Sequence, residues 1–244
     1  MLGNKQIKYI QSLGHKKARD EQGLFVAEGP RIVEDILHDF PEAIVKIYAM
    51  ADWLNDHGEA IRGFDTIVVQ ENELDRISQL TTPNKVMAVV KKFPVREPGP
   101  VKNNISLMLD TIQDPGNLGT IIRIADWFGI AHIICSSDCA DMYNPKVVQS
   151  TMGSIARVNV FYTDPENWIR ENPGIEVFAS ALHGIPVNEI GRIREGVIII
   201  GNESRGIRES LINLAVRKVT IPGKGRAESL NAAVATGIIL SHLM

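Results

Sequence analysis

Three stretches of this 244-residue sequence place polar side chains where chemistry could be done. In the first, LDTIQDPGNLGTIIRIADWFG, a strand ends near Asp110, Pro115-Gly116 breaks the chain and Asn117 can cap the helix that follows. Leu118, Ile121, Ile122, Ala125 and Phe128 form the apolar stripe of that helix. Gly119 and Arg123, four apart, share another face with Thr120 and Asp126. A glycine one turn before an arginine clears space beside the guanidinium for backbone or ligand. The plainer alternative is a surface Arg123–Asp126 pair, worth about 0.3 kcal/mol. In the second stretch, VIIIGNESRGI, Gly201 and Gly206 bracket Asn202, Glu203 and Ser204 after a strand. Such a loop can expose amides and carbonyls to a small flat ligand, or be an ordinary strand-to-helix turn. The third, VTIPGKGRAESLNAAVATGIIL, runs from strand through Pro222 and a Gly-Lys-Gly turn to a helix expected to begin near Ser229. Ser229 and Asn231 then sit in its first turn beside Lys224 and Arg226, where free N–H groups suit an anion, unless Ser229 is a routine N-cap.

These loops need a sheet to hold them. Ile105–Leu109, His132–Cys135, Val177–Ala179, Val197–Ile200 and Lys218–Ile221 are short, strongly apolar runs, as strands of a parallel sheet buried on both faces would be. Ligands bind beyond the carboxyl ends of such strands, so the loops after Leu109, Ile200 and Ile221 are the places to look. Upstream, Leu24–Ala27, Ile44–Ala49, Thr66–Val69 and Val86–Val90 alternate with helical stretches such as Pro30–His38, which puts Ile32, Val33, Ile36 and Leu37 on one face. Between the two halves lies FPVREPGPVKNN, with three prolines and a glycine. The expected organisation is a small α/β domain over 1–95, a linker over 96–104 and a parallel-sheet α/β domain over 105–244.

Composition excludes several classes. At 44% hydrophobic and 23% charged the chain is ordinary for a globular protein, and no apolar run nears the length of a membrane span. The N-terminus lacks the apolar core of a signal peptide, so a cytoplasmic location is expected. Cys135 and Cys139 lack the second ligand pair of a zinc site, and the six His have no metal-ligand spacing; no metal is expected. Neither the dinucleotide nor the P-loop glycine pattern occurs. Net charge is −3, yet Lys5, Lys8, Lys16, Lys17 and Arg19 all precede the first acid, and Arg217, Lys218, Lys224 and Arg226 form a second basic run. Each run alone could be solvated surface; together they fit phosphate contacts to a nucleic acid.

The order N-x-G-x-x-x-R, G-N-E-x-x-G, I-P-x-x-G-x-x-x-S-L-N resembles the three motifs of the SpoU (TrmH) family of the SPOUT superfamily, from about Ser106 to the C-terminus. The segment KYIQSLGHKKARDEQGLFVAEGPRIVEDIL is similar to the L30e-like RNA-binding domain that precedes the catalytic domain in many members. The resemblance implies RNA 2′-O-ribose methylation with S-adenosyl-L-methionine, a deep trefoil knot in the C-terminal domain, and a homodimer with composite active sites. By motif position it assigns Gly201, Ile221 and Leu230 to the cofactor and Asn117, Arg123, Glu203, Ser229 and Asn231 to the catalytic centre. Lys5, Lys8, Lys16, Lys17 and Arg19 would contact RNA. Two positions depart from the family pattern: Ser204, where glycine is common, and Gly223, where methionine is frequent.

Methylating a ribose hydroxyl requires the oxygen in line with the methyl group and loss of its proton. Arg123, between hydroxyl and phosphate, would stabilise the developing charge or take the proton; with a pKa above about 12, stabilisation is the easier role. Ribosomal RNA is the expected substrate, on the analogy of the N-terminal domain. The competing readings are tRNA 2′-O-methylation, base methylation by a sister branch, and a catalytically silent RNA-binding protein.

Overall fold

The computed structural model describes residues 2–98 and 103–244; the middle of the expected linker, 99–102, lies outside them. In chain order the elements are α1 (Asn4–Ser12), α2 (Lys16–Gln22), β1 (Leu24–Glu28), α3 (Pro30–Asp39), β2 (Ile44–Ala49), α4 (Ala51–Asp56), β3 (Thr66–Val68), α5 (Glu71–Ile77) and β4 (Val86–Lys91). There follow β5 (Ile105–Asp110), α6 (Pro115–Trp127), β6 (His132–Cys135), α7 (Pro145–Thr151), β7 (Asn159–Tyr162), α8 (Pro165–Glu171), β8 (Val177–Pro186), α9 (Val187–Ile190), β9 (Gly196–Gly201), α10 (Glu209–Ile212), β10 (Arg217–Thr220) and α11 (Ala232–Leu243).

The chain divides into two compact units, with one break between Pro94 and Val95 and a further exchange of chain downstream. The first unit runs to Pro94 but also takes in Asp141–Arg157, from the middle of the other half. Its sheet has the order β1-β4-β2-β3, with β4 antiparallel to both neighbours and β2 parallel to β3. The reason for the recruitment is visible in its contacts. Tyr143 packs against Phe25 of β1 in a tilted arrangement, ring centroids 4.8 Å apart, and its hydroxyl accepts the Phe93 amide at 2.9 Å. Val147 and Val148 of α7 are buried. Arg157 bridges Asp35 and Asp39 of α3 at 3.1 and 2.9 Å.

The tightest tie is Arg19, which corrects its assignment to RNA. Its side chain is 2% exposed; Nη1 donates to the carbonyls of Leu13 and Gly14 at 3.0 and 2.8 Å, and Nη2 to Asp141 at 2.6 Å. A cation so placed can neither reach a phosphate nor leave its carboxylate without a large desolvation cost. Lys16 is exposed but paired with Asp20 at 2.5 Å, and Lys17 lies 3.9 Å from Glu21. Lys5 and Lys8 stand exposed on α1.

The second unit, Val95–Ala140 with Val158–Met244, holds a six-stranded sheet, parallel throughout, in the order β10-β8-β9-β5-β6-β7. Val197–Ile200 are buried as the doubly covered run required. Strand β7 was absent from the expected set, because Asn159-Val160-Phe161-Tyr162 at the sheet edge has one buried position in four. Strand β8 runs further than its apolar start: between Ala179 and Ile185 the pairing with β10 jumps from Lys218 to Val219, leaving Ser180–Gly184 as a bulge at its carboxyl end.

Removing Asp141 would strand a buried guanidinium. We expect Asp141→Ala to lower unfolding stability by about 3 kcal/mol in denaturant titration; a loss below about 1 kcal/mol, the value of a surface pair, would show the bridge to be incidental.

Candidate active site

All six strands of the parallel sheet point their carboxyl ends the same way, so the three motif loops, after β5, β9 and β10, emerge on one side. In the first, the helix starts three residues earlier than expected, with its cap at position 114 in place of 117. Pro115 occupies its first turn, and the cap is Asp114, whose side chain accepts the Asn117 amide at 2.8 Å. Asn117 is therefore a first-turn residue with its side-chain amide free for other work. In the third, the helix starts later: Asn231, not Ser229, is the cap, its Oδ1 accepting from Ala233 and Val234 at 3.0 and 3.2 Å. Ser229 lies in the exposed loop before it and makes no hydrogen bond with a described residue.

These shifts let the three motifs meet. Asn231 Nδ2 donates to Asn117 Oδ1 at 2.7 Å, and Asn117 Nδ2 donates to Glu203. The direction of this chain is forced. Two helix N–H groups claim Asn231 Oδ1, which turns its NH2 towards Asn117; Asn117 must then present its oxygen there and its own NH2 to Glu203. Glu203 is half-buried and acts as the terminal acceptor.

The loop carrying Glu203 is shaped by Asn202. Its Oδ1 accepts from Ser204 and Arg205 at 2.9 and 3.1 Å, and its Nδ2 donates to the Thr111 carbonyl at 3.0 Å. Thr111 has φ +60°, rare for a β-branched residue, and is held there by its amide on Ser136 (2.9 Å) and its hydroxyl on Asp138 (3.0 Å). Burial pushes the Asp138 carboxyl up, but hydrogen bonds from Ser136 and Thr111 outweigh it and keep it below its ordinary range. Asn202 and the Thr111–Ser136–Asp138 group were not among the expected site residues; Asn202 stands inside the second motif, the other three outside all motifs, and all four act through the loop.

Gly201 closes β9. A Cβ there would lie 2.4 Å from the Gly206 carbonyl carbon and 2.5 Å from Ile207 N, so the loop's own backbone already demands glycine. Ile221 follows β10, half-buried, and Leu230 is 45% exposed immediately before Asn231. Residues 222–230 are exposed and make no hydrogen bond with other described residues. The bulge Ser180–Gly184 of β8, a strand that lies between β9 and β10, is a further wall of this region that the sequence reading missed. Gly184 is its signature, since a Cβ would lie 2.5 Å from the Lys218 carbonyl oxygen. Arg123 is exposed on α6 and forms no ion pair with a described residue; the surface pair with Asp126 is not made. Cys135 and Cys139 are both free and buried, and the described residues hold no cluster able to bind a metal.

A six-stranded parallel sheet with three polar loops meeting at its carboxyl edge defines an α/β domain with one candidate site, and known proteins narrow it further. The SpoU rRNA methylase family model matches residues 104–241, and an MRM3-like substrate binding domain matches residues 4–88. The chain belongs to the SpoU rRNA methylase family. It is 30% identical over 243 residues to the 23S rRNA (guanosine(2553)-2′-O)-methyltransferase RlmP of Bacillus subtilis, covering 98% of this chain and 96% of that protein. It is 26% identical to the 23S rRNA (uridine(2479)-2′-O)-methyltransferase of Streptomyces viridochromogenes, covering 93% and 85%. The AdoMet-bound rRNA methyltransferase from Sinorhizobium meliloti superposes with a TM-score of 0.87 at 32% identity, covering 99% of this chain and 95% of that one.

The forced amide direction can be tested without disturbing the helix. Aspartate caps as well as asparagine, but Asn231→Asp sets a carboxylate oxygen against Asn117 Oδ1. We expect an unchanged melting temperature and a methyl-transfer rate about tenfold lower; a normal rate would show that the amide chain carries no part of the activity.

Proposed function

We propose that this chain transfers a methyl group from S-adenosyl-L-methionine to a ribose 2′-hydroxyl of ribosomal RNA. The observation that carries the reading is the chain Asn231–Asn117–Glu203, which joins one residue of each motif by directed hydrogen bonds at the carboxyl edge of the parallel sheet. Ribosomal rather than transfer RNA is favoured by the two full-length relatives named above, both 23S rRNA 2′-O-methyltransferases.

The cofactor's adenosine needs backbone donors and acceptors at close range. Residues 222–230 offer groups not engaged with other described residues, flanked by Ile221 and Leu230; the Gly201–Gly206 hairpin and the Ser180–Gly184 bulge supply the neighbouring walls. When bound, S-adenosyl-L-methionine supplies an electrophilic methyl group on a sulfonium. The chain's own part is to orient the ribose and to stabilise negative charge on its 2′-oxygen. Arg123, exposed and without an ion pair to a described residue, is the group for that charge, with a forked guanidinium that can hold hydroxyl and phosphate together. Ser229, exposed beside Asn231, would contact the RNA. Lys5, Lys8 and Lys17 are the remaining phosphate contacts of the first unit; Lys16 takes part only by giving up Asp20.

The reading includes the family's knotted C-terminal segment and a homodimer, working in the cytoplasm. Among the described residues no helix is long and apolar enough to cross a membrane. Support for the dimer comes from α6 and α11, which pack on each other yet leave Trp127 86% and Val234 51% exposed.

Arg123→Ala should slow single-turnover methyl transfer by about a hundredfold with cofactor affinity unchanged in calorimetry, and Arg123→Lys should restore little of it. Near wild-type rates in both variants would remove Arg123 from the chemistry, and absence of ribose methylation by the wild-type protein on ribosomal RNA would remove the reading. Trp127→Asp should convert the dimer to a monomer in sedimentation; an unshifted mass would place the dimer face elsewhere.

A further inference from the structure

The second motif loop has a base as well as a tip, and one buried side chain holds that base. Asp110 is the last residue of β5 and is fully buried. In the sheet it pairs in register with Gly201, where the loop leaves β9. Its carboxylate meets the point where the loop comes back: Oδ2 accepts the Arg208 amide at 2.7 Å, and Oδ1 accepts Arg208 Nε at 2.7 Å and Nη2 at 2.6 Å. Thr111 Oγ1 adds a weaker bond to Oδ1 at 3.2 Å. Both ends of the segment 201–208 are thus referred to one residue, by the strand ladder at one end and by a charge-assisted contact at the other.

Inside that closed base, Asn202 folds the segment, and Glu203 accepts from Asn117 of the first motif. The same Asp110 sits directly before Thr111, whose carbonyl receives Asn202. A fully buried carboxylate is retained only against strong partners, and here those partners are the loop itself. We infer that Asp110 is a positioning residue for the transfer reaction: by clamping Arg208 it sets where Glu203 meets Asn117. The inference rests on the function proposed above, and it assigns Asp110 no contact with cofactor or RNA.

A double-mutant cycle on the single-turnover rate, measured well below the melting temperature, separates positioning from general stability. Asp110→Asn keeps the volume but removes the charge, and we expect it to slow transfer by about tenfold. Combined with Glu203→Gln, the double variant should be no slower than the slower single variant, because both changes break the same link. Multiplied effects, or a normal rate in folded Asp110→Asn, would overturn the assignment. Should Asp110→Asn fail to fold, Arg208→Leu removes the guanidinium while leaving the amide bond; a fall of about threefold with the same non-additivity supports the clamp, and a normal rate overturns it. Hydrogen exchange reads the clamp without activity, so a wild-type protein inactive on ribosomal RNA would sink the proposed function and leave this inference testable. In Asp110→Asn the amides of Ser204, Arg205 and Arg208 should exchange faster while those of Leu107–Leu109 hold, and unchanged loop protection would end it.

Discussion

Two N–H groups at the start of α11 decide the polarity of the site. They fix Asn231 Oδ1, and from that one constraint the orientation of Asn117 and the acceptor role of Glu203 follow. An asparagine amide left alone can turn over at little cost; here a flip at any link would place oxygen against oxygen or NH2 against N–H. The cap of a helix is ordinarily a stability device of about 1 kcal/mol. In this chain the same contact also sets hydrogen-bond direction two residues away, so helix start and active-site geometry cannot vary independently.

That coupling explains why the elements had to start where they do. With Asn117 as cap of α6, its oxygen would be turned to its own helix N–H groups and away from Asn231. Asp114 takes the duty instead, and Pro115 beside it supplies a preset φ and no orphan donor. Pro at the first helical position is a signal present in the sequence, and reading Asp114-Pro115 as cap and first turn would have placed the boundary correctly. The helix after the third loop carried a weaker signal. Ser229 and Asn231 are both good caps, and only the N–H groups they meet in the folded chain decide between them.

The parallel sheet was legible from runs such as Val197–Ile200, because burial on both faces leaves no room for polar residues. The motif residues Asn117, Glu203 and Asn231 were singled out through the resemblance of the three motifs, and the structure joins them by hydrogen bonds. Ser180–Gly184 and β7 were not legible, since an edge strand and a bulge break the apolar pattern that signals a strand. Arg19 failed for a different reason. A basic run looks alike whether its members face solvent or one of them is buried, and the carboxylate that buries Arg19 is Asp141, 122 residues away. No local pattern carries that information. The recruitment of Asp141–Arg157 into the first unit was hidden in the same way, since its apolar residues would suit either half.

The glycines of the second motif sharpen the difference between a residue that touches a ligand and one that lets a loop exist. The family resemblance assigns Gly201 to the cofactor, yet the atoms within 2.6 Å of a Cβ there are backbone of Gly206 and Ile207. A larger side chain at Gly201 would open the hairpin before it met any ligand. Loss of cofactor binding in such a variant would therefore report loop geometry, and would not by itself establish contact. Gly206, with φ +70° and open space about its Cβ position, serves the turn through conformation alone. The two glycines thus do separate work, close approach at one and a left-handed turn at the other, and both bear on where Glu203 lies. The second motif is then best understood as a loop built to present one carboxylate, with the ligand-facing role left to the backbone that this shape exposes.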